Sequence, residues 1–224
     1  MNETVTFKRP DGKDCSGYLV EPARGQRAPG IVVIQEWWGL NDQIKGVARR
    51  LAESGYRALV PDLYRGKVTL DTAEANHLMT GLNFADAAAQ DIRGAIQYLK
   101  RSSAKAGALG FCMGGALTVL AAAFVKELDV ASSWYGFPPE SAADVEKIGI
   151  PIQLHFAEED QFFTRANAKA LADRLKAGKV THETFWYAAQ HGFGNEANLI
   201  GTYDEAATKL AWRRTLDFFR SHLT

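Results

Sequence analysis

Two hydrophobic periods alternate along this chain. Residues 30–35, Gly-Ile-Val-Val-Ile-Gln, form an unbroken β-branched run, the pattern of a strand buried on both faces. Residues 5–8 and 16–20 flank Pro10-Asp11-Gly12 and predict an antiparallel hairpin. From 42 to 54 the apolar positions Ile44, Val47, Ala48 and Leu51 recur at helical spacing, Gly55 stops that helix, and 57–60 supply the next strand before Pro61. A short helix is predicted over 72–79, and a longer one over 84–99 from Phe84, Ala88, Ile92, Ala95, Ile96 and Leu99. Residues 106–120 read as a strand, a sharp turn and a helix, the apolar helix running over 114–125. Strands at 130–135, 152–157 and 184–187 and helices at 165–176 and 204–221 complete the set. Such alternation predicts a central, mostly parallel sheet with right-handed crossovers and helices on both faces, in a single α/β domain spanning 1–224.

Composition narrows the function classes. Lys+Arg and Asp+Glu both number 26, so the 224-residue chain has no formal net charge and lacks the basic excess that nucleic acid or an anionic membrane would need. The N-terminal residues show no apolar signal-peptide core, and no stretch reaches the length of a membrane span. The two cysteines, Cys15 and Cys112, fall in an early strand and at the sharp turn, so a disulfide is not expected and a reducing cytoplasm fits. No metal or cofactor motif is present, and the chain is expected to act as a monomer on a small molecule.

The turn carries the chemistry. Gly110-Phe111-Cys112-Met113-Gly114 is a cysteine version of the nucleophile elbow Gly-x-Ser-x-Gly, in which glycines allow close packing of strand and helix beneath a strained apex. The Met113 N–H would then face a developing oxyanion. A buried cysteine is otherwise a small core hydrophobe. A dinucleotide fingerprint fails because Cys112 stands where glycine is required and no acid lies about twenty positions on, at 130–133. A phosphate loop fails because Gly114-Gly115-Ala116 offers no Gly-Lys-Ser/Thr.

In such a sheet the chemistry gathers at the carboxyl ends of the strands. Glu36-Trp37-Trp38, the elbow, Trp134-Tyr135-Gly136, Glu158-Glu159-Asp160 and Gln190-His191-Gly192 all follow predicted strands. Nucleophile, acid and histidine therefore come in the order of the α/β-hydrolase arrangement. Of five histidines, His182 and His222 sit near element ends, His155 lies inside a strand and His77 in the middle helix. His191 alone follows the last strand in a glycine-rich loop able to fold over the elbow. Three acids compete to orient it; Asp160 is favoured over Glu158 and Glu159 because its short side chain needs less ordering. Glu36, between an apolar strand and two tryptophans, is either a desolvated carboxylate with a raised pKa or an exposed loop acid. The Trp37 and Trp38 backbone would lie near the second oxyanion donor position of such a fold.

Gln35-Glu36-Trp37-Trp38-Gly39-Leu40-Asn41, Pro61-Asp62-Leu63-Tyr64, the elbow, Tyr135-Gly136 and the Asp160/His191 pair resemble the dienelactone hydrolase (carboxymethylenebutenolidase) family, in order and over nearly the whole chain. The resemblance implies an α/β-hydrolase fold, a Cys112–His191–Asp160 triad and oxyanion donors at the Met113 and Trp37 N–H groups. It implies that Glu36 takes the thiol proton when substrate arrives, which would leave the resting thiol un-ionised and slow to alkylate. Trp38, Tyr64, Tyr135 and Asn195 become candidates for substrate binding. The implied reaction is ring opening of an enol-lactone, or cleavage of a small carboxylic ester, through a thiol ester.

Two departures bear on substrate. The family grips its substrate carboxylate with one arginine on the helix after Pro-Asp-Leu-Tyr and another four residues past the histidine. Here the helix 72–79 has no arginine, and Asn195 occupies the second position; Gly192 stands where the family has serine. Arg65, Arg213 or Arg214 would compensate only by reaching the cleft. One rival is therefore a general carboxylesterase or thioesterase for neutral substrates. A second is a thiol redox or sensor protein using Cys112, which lacks a resolving cysteine because Cys15 is remote. The third is a silent binding scaffold, disfavoured by the intact Cys112, His191 and Asp160.

Overall fold

The β-branched run forms β3 (Gly30–Ile34), with all five residues buried. The structure, a computed structural model, describes residues 2–23 and 27–224. Around β3 lie β1 (Asn2–Lys8), β2 (Asp14–Val20), β4 (Arg57–Pro61), β5 (Ala106–Phe111), β6 (Val130–Trp134), β7 (Ile152–Ala157) and β8 (His182–Tyr187). They make one eight-stranded sheet in the order β1-β2-β4-β3-β5-β6-β7-β8. The β1–β2 hairpin and the β2–β4 pair are antiparallel; every pair from β4 to β8 is parallel. This is the mostly parallel sheet that the alternation of strands and helices predicts, in the α/β-hydrolase architecture that the family resemblance implies.

Helices cover both faces. On one side α1 (Asp42–Glu53) and α7 (Glu205–Leu223) bury Ile44, Val47, Leu51, Ala211 and Phe219 against Ile31, Val33 and Val60. On the other, α4 (Arg93–Lys100), α5 (Met113–Phe124) and α6 (Arg165–Ala177) bury Ile96, Leu99, Leu117 and Leu171 against Val32, Ile34 and Leu154. The α1 start is fixed by Asn41, whose side chain accepts from the Ile44 N–H. Helix α2 (Thr72–Gly81) is different: only Ala75 is buried, so tertiary packing holds it weakly. No described helix is long and apolar enough to cross a membrane.

One predicted element is corrected. The helix expected over 84–99 starts as α3 (Phe84–Asp86), widens into a π-helical turn at Ala87–Ile92 and resumes as α4. Asp91, in the wide turn, is buried and accepts from Arg9 Nη1 (3.1 Å) and Arg65 Nη2 (2.8 Å). Apolar spacing survives such a turn, which is why periodicity alone reads it as ordinary helix.

Candidate active site

The strand register builds the site. Ile34 on β3 pairs with Gly110 on β5, so Glu36 and Cys112 each lie two residues beyond paired positions on adjacent strands. Phe111 pairs with Trp134, and the Cys112 N–H donates to the Trp134 carbonyl (3.0 Å), which sets Tyr135 beside the elbow. Cys112 has φ 55° and ψ −119°, a conformation that side chains rarely adopt and that persists only where neighbours enforce it. The glycines are part of that enforcement. A Cβ on Gly110 would stand 2.1 Å from the Gly114 carbonyl oxygen, and one on Gly114 would stand 2.4 Å from that of Ile34.

The structure brings Cys112, His191 and Asp160 together. His191 Nε2 lies 3.1 Å from Cys112 Sγ, and Nδ1 lies 2.9 Å from Asp160 Oδ2. The other Asp160 oxygen accepts from the backbone N–H groups of Phe162 and Phe163, each at 2.8 Å. That double hold separates Asp160, which is buried, from Glu158 and Glu159, which are exposed. The ring of His191 stacks on Phe163 and meets Phe162 and Tyr135 edge-on. Burial works against the imidazolium, but hydrogen bonds to Asp160 and Cys112 and the charges of both outweigh it. They push His191 up to about 10.

At Met113, the first residue of α5, and at Trp37, no described group accepts a hydrogen bond from the backbone N–H. Both therefore remain available to an oxyanion.

Glu36 is 5% exposed. Instead of the thiol, its carboxylate meets Tyr135, whose O–H donates to Oε1 (3.0 Å), and Asn195, whose Nδ2–H donates to Oε2. The thiol's partner is His191. No hydrogen bond joins Glu36 to Cys112, so the condition under which the resting thiol would be un-ionised and slow to alkylate, a proton shared with Glu36, has no support in the geometry. Burial pushes Glu36 above the usual carboxylate range, opposed by Tyr135, the His191 charge and Asn195.

A cleft of about 650 Å³ opens over Cys112, a size suited to a small-molecule ligand. Glu36, Trp37, Trp38, His191 and Asn195 line it, as does Met113. Two candidates for substrate binding are corrected, because Tyr64 and Tyr135 are not among the lining residues. Tyr64 is buried behind the elbow with its O–H on Met113 Sδ, and Tyr135 is the buried support of Glu36. The sequence reading missed the α2 face formed by Thr72, Asn76 and Met79, whose i, i+4, i+7 spacing was its available signal. It also missed the aromatic wall of Phe137, Phe162 and Phe163.

No lysine or arginine lines the cleft among the described residues. Arg65 is spent on Asp91, and Arg214 lies over the Phe185 ring and donates to the Tyr187 hydroxyl. Cys15 is buried in β2, against Arg65 Nη1, and burial pushes its thiol up to about 12. Strands β4 and β3 separate it from the elbow strand.

The dienelactone hydrolase family model matches residues 15–223. "Protein usf" of Aquifex pyrophilus is 32% identical over 235 residues, covering all of both chains. A "Putative carboxymethylenebutenolidase" of Aquifex aeolicus is 29% identical over 234 residues, again covering all of both. Among solved structures, a dienelactone hydrolase-like promiscuous phosphotriesterase from metagenomic libraries superposes with TM-score 0.86 and 25% identity. That match covers 100% of this chain and 99% of the other.

Proposed function

The chain belongs to the dienelactone hydrolase family, whose members hydrolyse carboxylic esters, and from that premise we propose that it cleaves small esters or enol-lactones through an acyl-enzyme on Cys112. The observation that carries this reading is the unbroken line from Cys112 Sγ through the His191 ring to Asp160, at 3.1 and 2.9 Å, beneath two unclaimed backbone N–H groups. His191 already holds the thiol proton in the resting pair, and sulfur adds to the acyl carbon. The carbonyl oxygen becomes an oxyanion held by the Met113 and Trp37 N–H groups. Collapse breaks the C–O bond, and the leaving oxygen receives the proton from His191. Water, deprotonated by the same imidazole, then attacks the thiol ester and frees the carboxylic acid and the thiol. Asp160 holds the Nδ1–H tautomer and supports the imidazolium.

A substrate without a carboxylate suits this cleft better than a dienelactone, because the lining has no lysine or arginine and Glu36 faces it. The redox reading is weaker: a resolving thiol must bring its Cα within about 7 Å, whereas two whole strands lie between the strand of Cys15 and the elbow strand. Turnover of p-nitrophenyl acetate by Cys112→Ala and Cys15→Ala tests the mechanism. Loss of hydrolysis in the first with near-normal rates in the second is the expected result; full activity in Cys112→Ala overturns it.

A further inference from the structure

The segments that hold His191 also surround it with hydrocarbon. Asp160 Oδ1 accepts from the N–H groups of Phe162 and Phe163, and that turn sets both rings against the imidazole. Phe163 stacks on it at 5.5 Å between ring centroids, and Phe162 meets it edge-on at 5.0 Å. Phe137 backs Phe163 at 5.0 Å and itself packs on the buried Phe156. Ile200 comes from the chain beyond the histidine. A Cβ at position 192 would stand 3.1 Å from Ile200 Cδ1, so the glycine there, at φ 78°, lets Ile200 close on the residue next to His191. Thr202 adds no spare donor, because its hydroxyl donates to the His191 carbonyl (2.6 Å). Phe162, Phe163 and Ile200 all line the cleft, yet Phe162 is 68% and Ile200 38% exposed. Of the five large hydrophobic side chains exposed among the described residues, two therefore flank one imidazole. Hydrocarbon held in water at that density is stabilised when an apolar group covers it.

The chemistry says which group that is. As the acyl C–O bond breaks, the leaving oxygen takes the proton from His191 Nε2, so whatever is attached to that oxygen lies against the side chains around the imidazole. We propose that Phe162, Phe163 and Ile200 form a subsite for the alcohol half of the ester, and that the favoured alcohol is apolar and ring-sized. This inference rests on the ester hydrolase reading above and gives it a substrate class, esters of bulky apolar alcohols. A polar alcohol of the same shape would lose its water against these side chains and gain no hydrogen bond from them.

The test compares cyclohexylmethyl acetate with (tetrahydropyran-4-yl)methyl acetate, in which an ether oxygen replaces one ring methylene at nearly unchanged shape. Both give the same acetyl-enzyme, so their difference belongs to the step that releases the alcohol and is read in kcat/KM. The wild-type chain should favour the cyclohexyl ester about tenfold, the scale of one polar atom buried without a partner. Phe162→Ala and Ile200→Ala together should bring that ratio down to about twofold. Because the ratio compares two substrates on one protein, any common loss in chemistry cancels. Methyl cyclohexylacetate and methyl (tetrahydropyran-4-yl)acetate carry the same rings on the acyl side, and their ratio should not change in the double variant. A wild-type ratio near one for the two acetates, an unchanged ratio in the double variant, or an equal fall in both pairs overturns the subsite. A second readout needs no turnover. Cyclohexylmethanol should slow alkylation of Cys112 by iodoacetamide more than (tetrahydropyran-4-yl)methanol does at equal concentration, in the wild type and not in the double variant; equal effects in the wild type overturn the proposal. Protection by cyclohexylmethanol with neither acetate hydrolysed would sustain the subsite and refute the hydrolase reading.

Discussion

Three acids follow β7, and the sequence does not separate them by charge or order. Asp160 is distinguished by the turn after it, which places the N–H groups of Phe162 and Phe163 on one carboxylate oxygen and leaves the other for His191. Asp160→Asn keeps the shape but cannot support an imidazolium, so kcat should fall roughly 10²- to 10⁴-fold with KM little changed. Because the fold holds the His191 proton up to about 10 against an ordinary 6.5, the imidazolium stabilises the protein fully below pH 6.5. That contribution is lost as pH rises from 6.5 through about 10, where the folded chain keeps a proton that the unfolded chain has released. Denaturation curves across this window should show falling stability in the wild type and a flatter profile in Asp160→Asn. The Cys112–His191 pair also exists without substrate. Iodoacetamide should therefore alkylate Cys112 at neutral pH about tenfold faster than a free cysteine, which is only a few per cent thiolate there. A rate below that of free cysteine would return the thiol proton to Glu36.

The elbow is the element most fully legible in the sequence, because its glycines answer a local steric demand. Gly114→Ala would force a Cβ against two backbone carbonyls, of Ile34 and Gln35, neither able to move without the strand. Destabilisation of more than about 3 kcal/mol is expected, read as a lowered denaturation midpoint. Strand β7 carries a second pH dependence. His155 is fully buried among Gln153, Tyr187 and Thr215, and burial, with Arg214 nearby, depresses it to about 3. Above pH 6.5 the histidine is neutral in both states; between 6.5 and about 3 the unfolded chain binds a proton that the fold refuses. Stability should thus fall with falling pH across that window, and His155→Gln should reduce the slope even if it lowers the plateau. Other elements resisted reading. The π-helical turn at Ala87–Ile92 leaves the apolar spacing intact, and the partners of its Asp91, Arg9 and Arg65, lie far away in sequence. Helix α2 has a single buried residue, so its cleft-facing side carries no hydrophobic signature.

At the scale of the whole molecule, the mostly parallel sheet and both helical layers follow from periodicity and crossover rules, and the candidate triad from what comes after each strand. Charge within the cleft does not, because it depends on where long side chains end. Arg65, shortly after β4, and Arg214, on α7, are candidates by position, yet they are held elsewhere, by Asp91 and Tyr187 respectively. Among the described residues the cleft thus has carboxylates and no lysine or arginine. A dienelactone carboxylate would forgo a charged hydrogen bond of about 1.5–3 kcal/mol, roughly tenfold to a hundredfold in kcat/KM. Its methyl ester should be hydrolysed at least as well, and Asn195→Arg should shift the preference toward the free acid; a clear wild-type preference for the acid would reveal another cation at work. The central claim, covalent catalysis by Cys112, is tested most directly by mixing the protein with a slowly deacylated ester, quenching in acid and mapping the adduct by mass. The account predicts one acyl group, on the peptide containing Cys112, appearing with the burst of alcohol release and decaying at the turnover rate. Steady hydrolysis with no acyl group on Cys112, or with one on another residue, would contradict it.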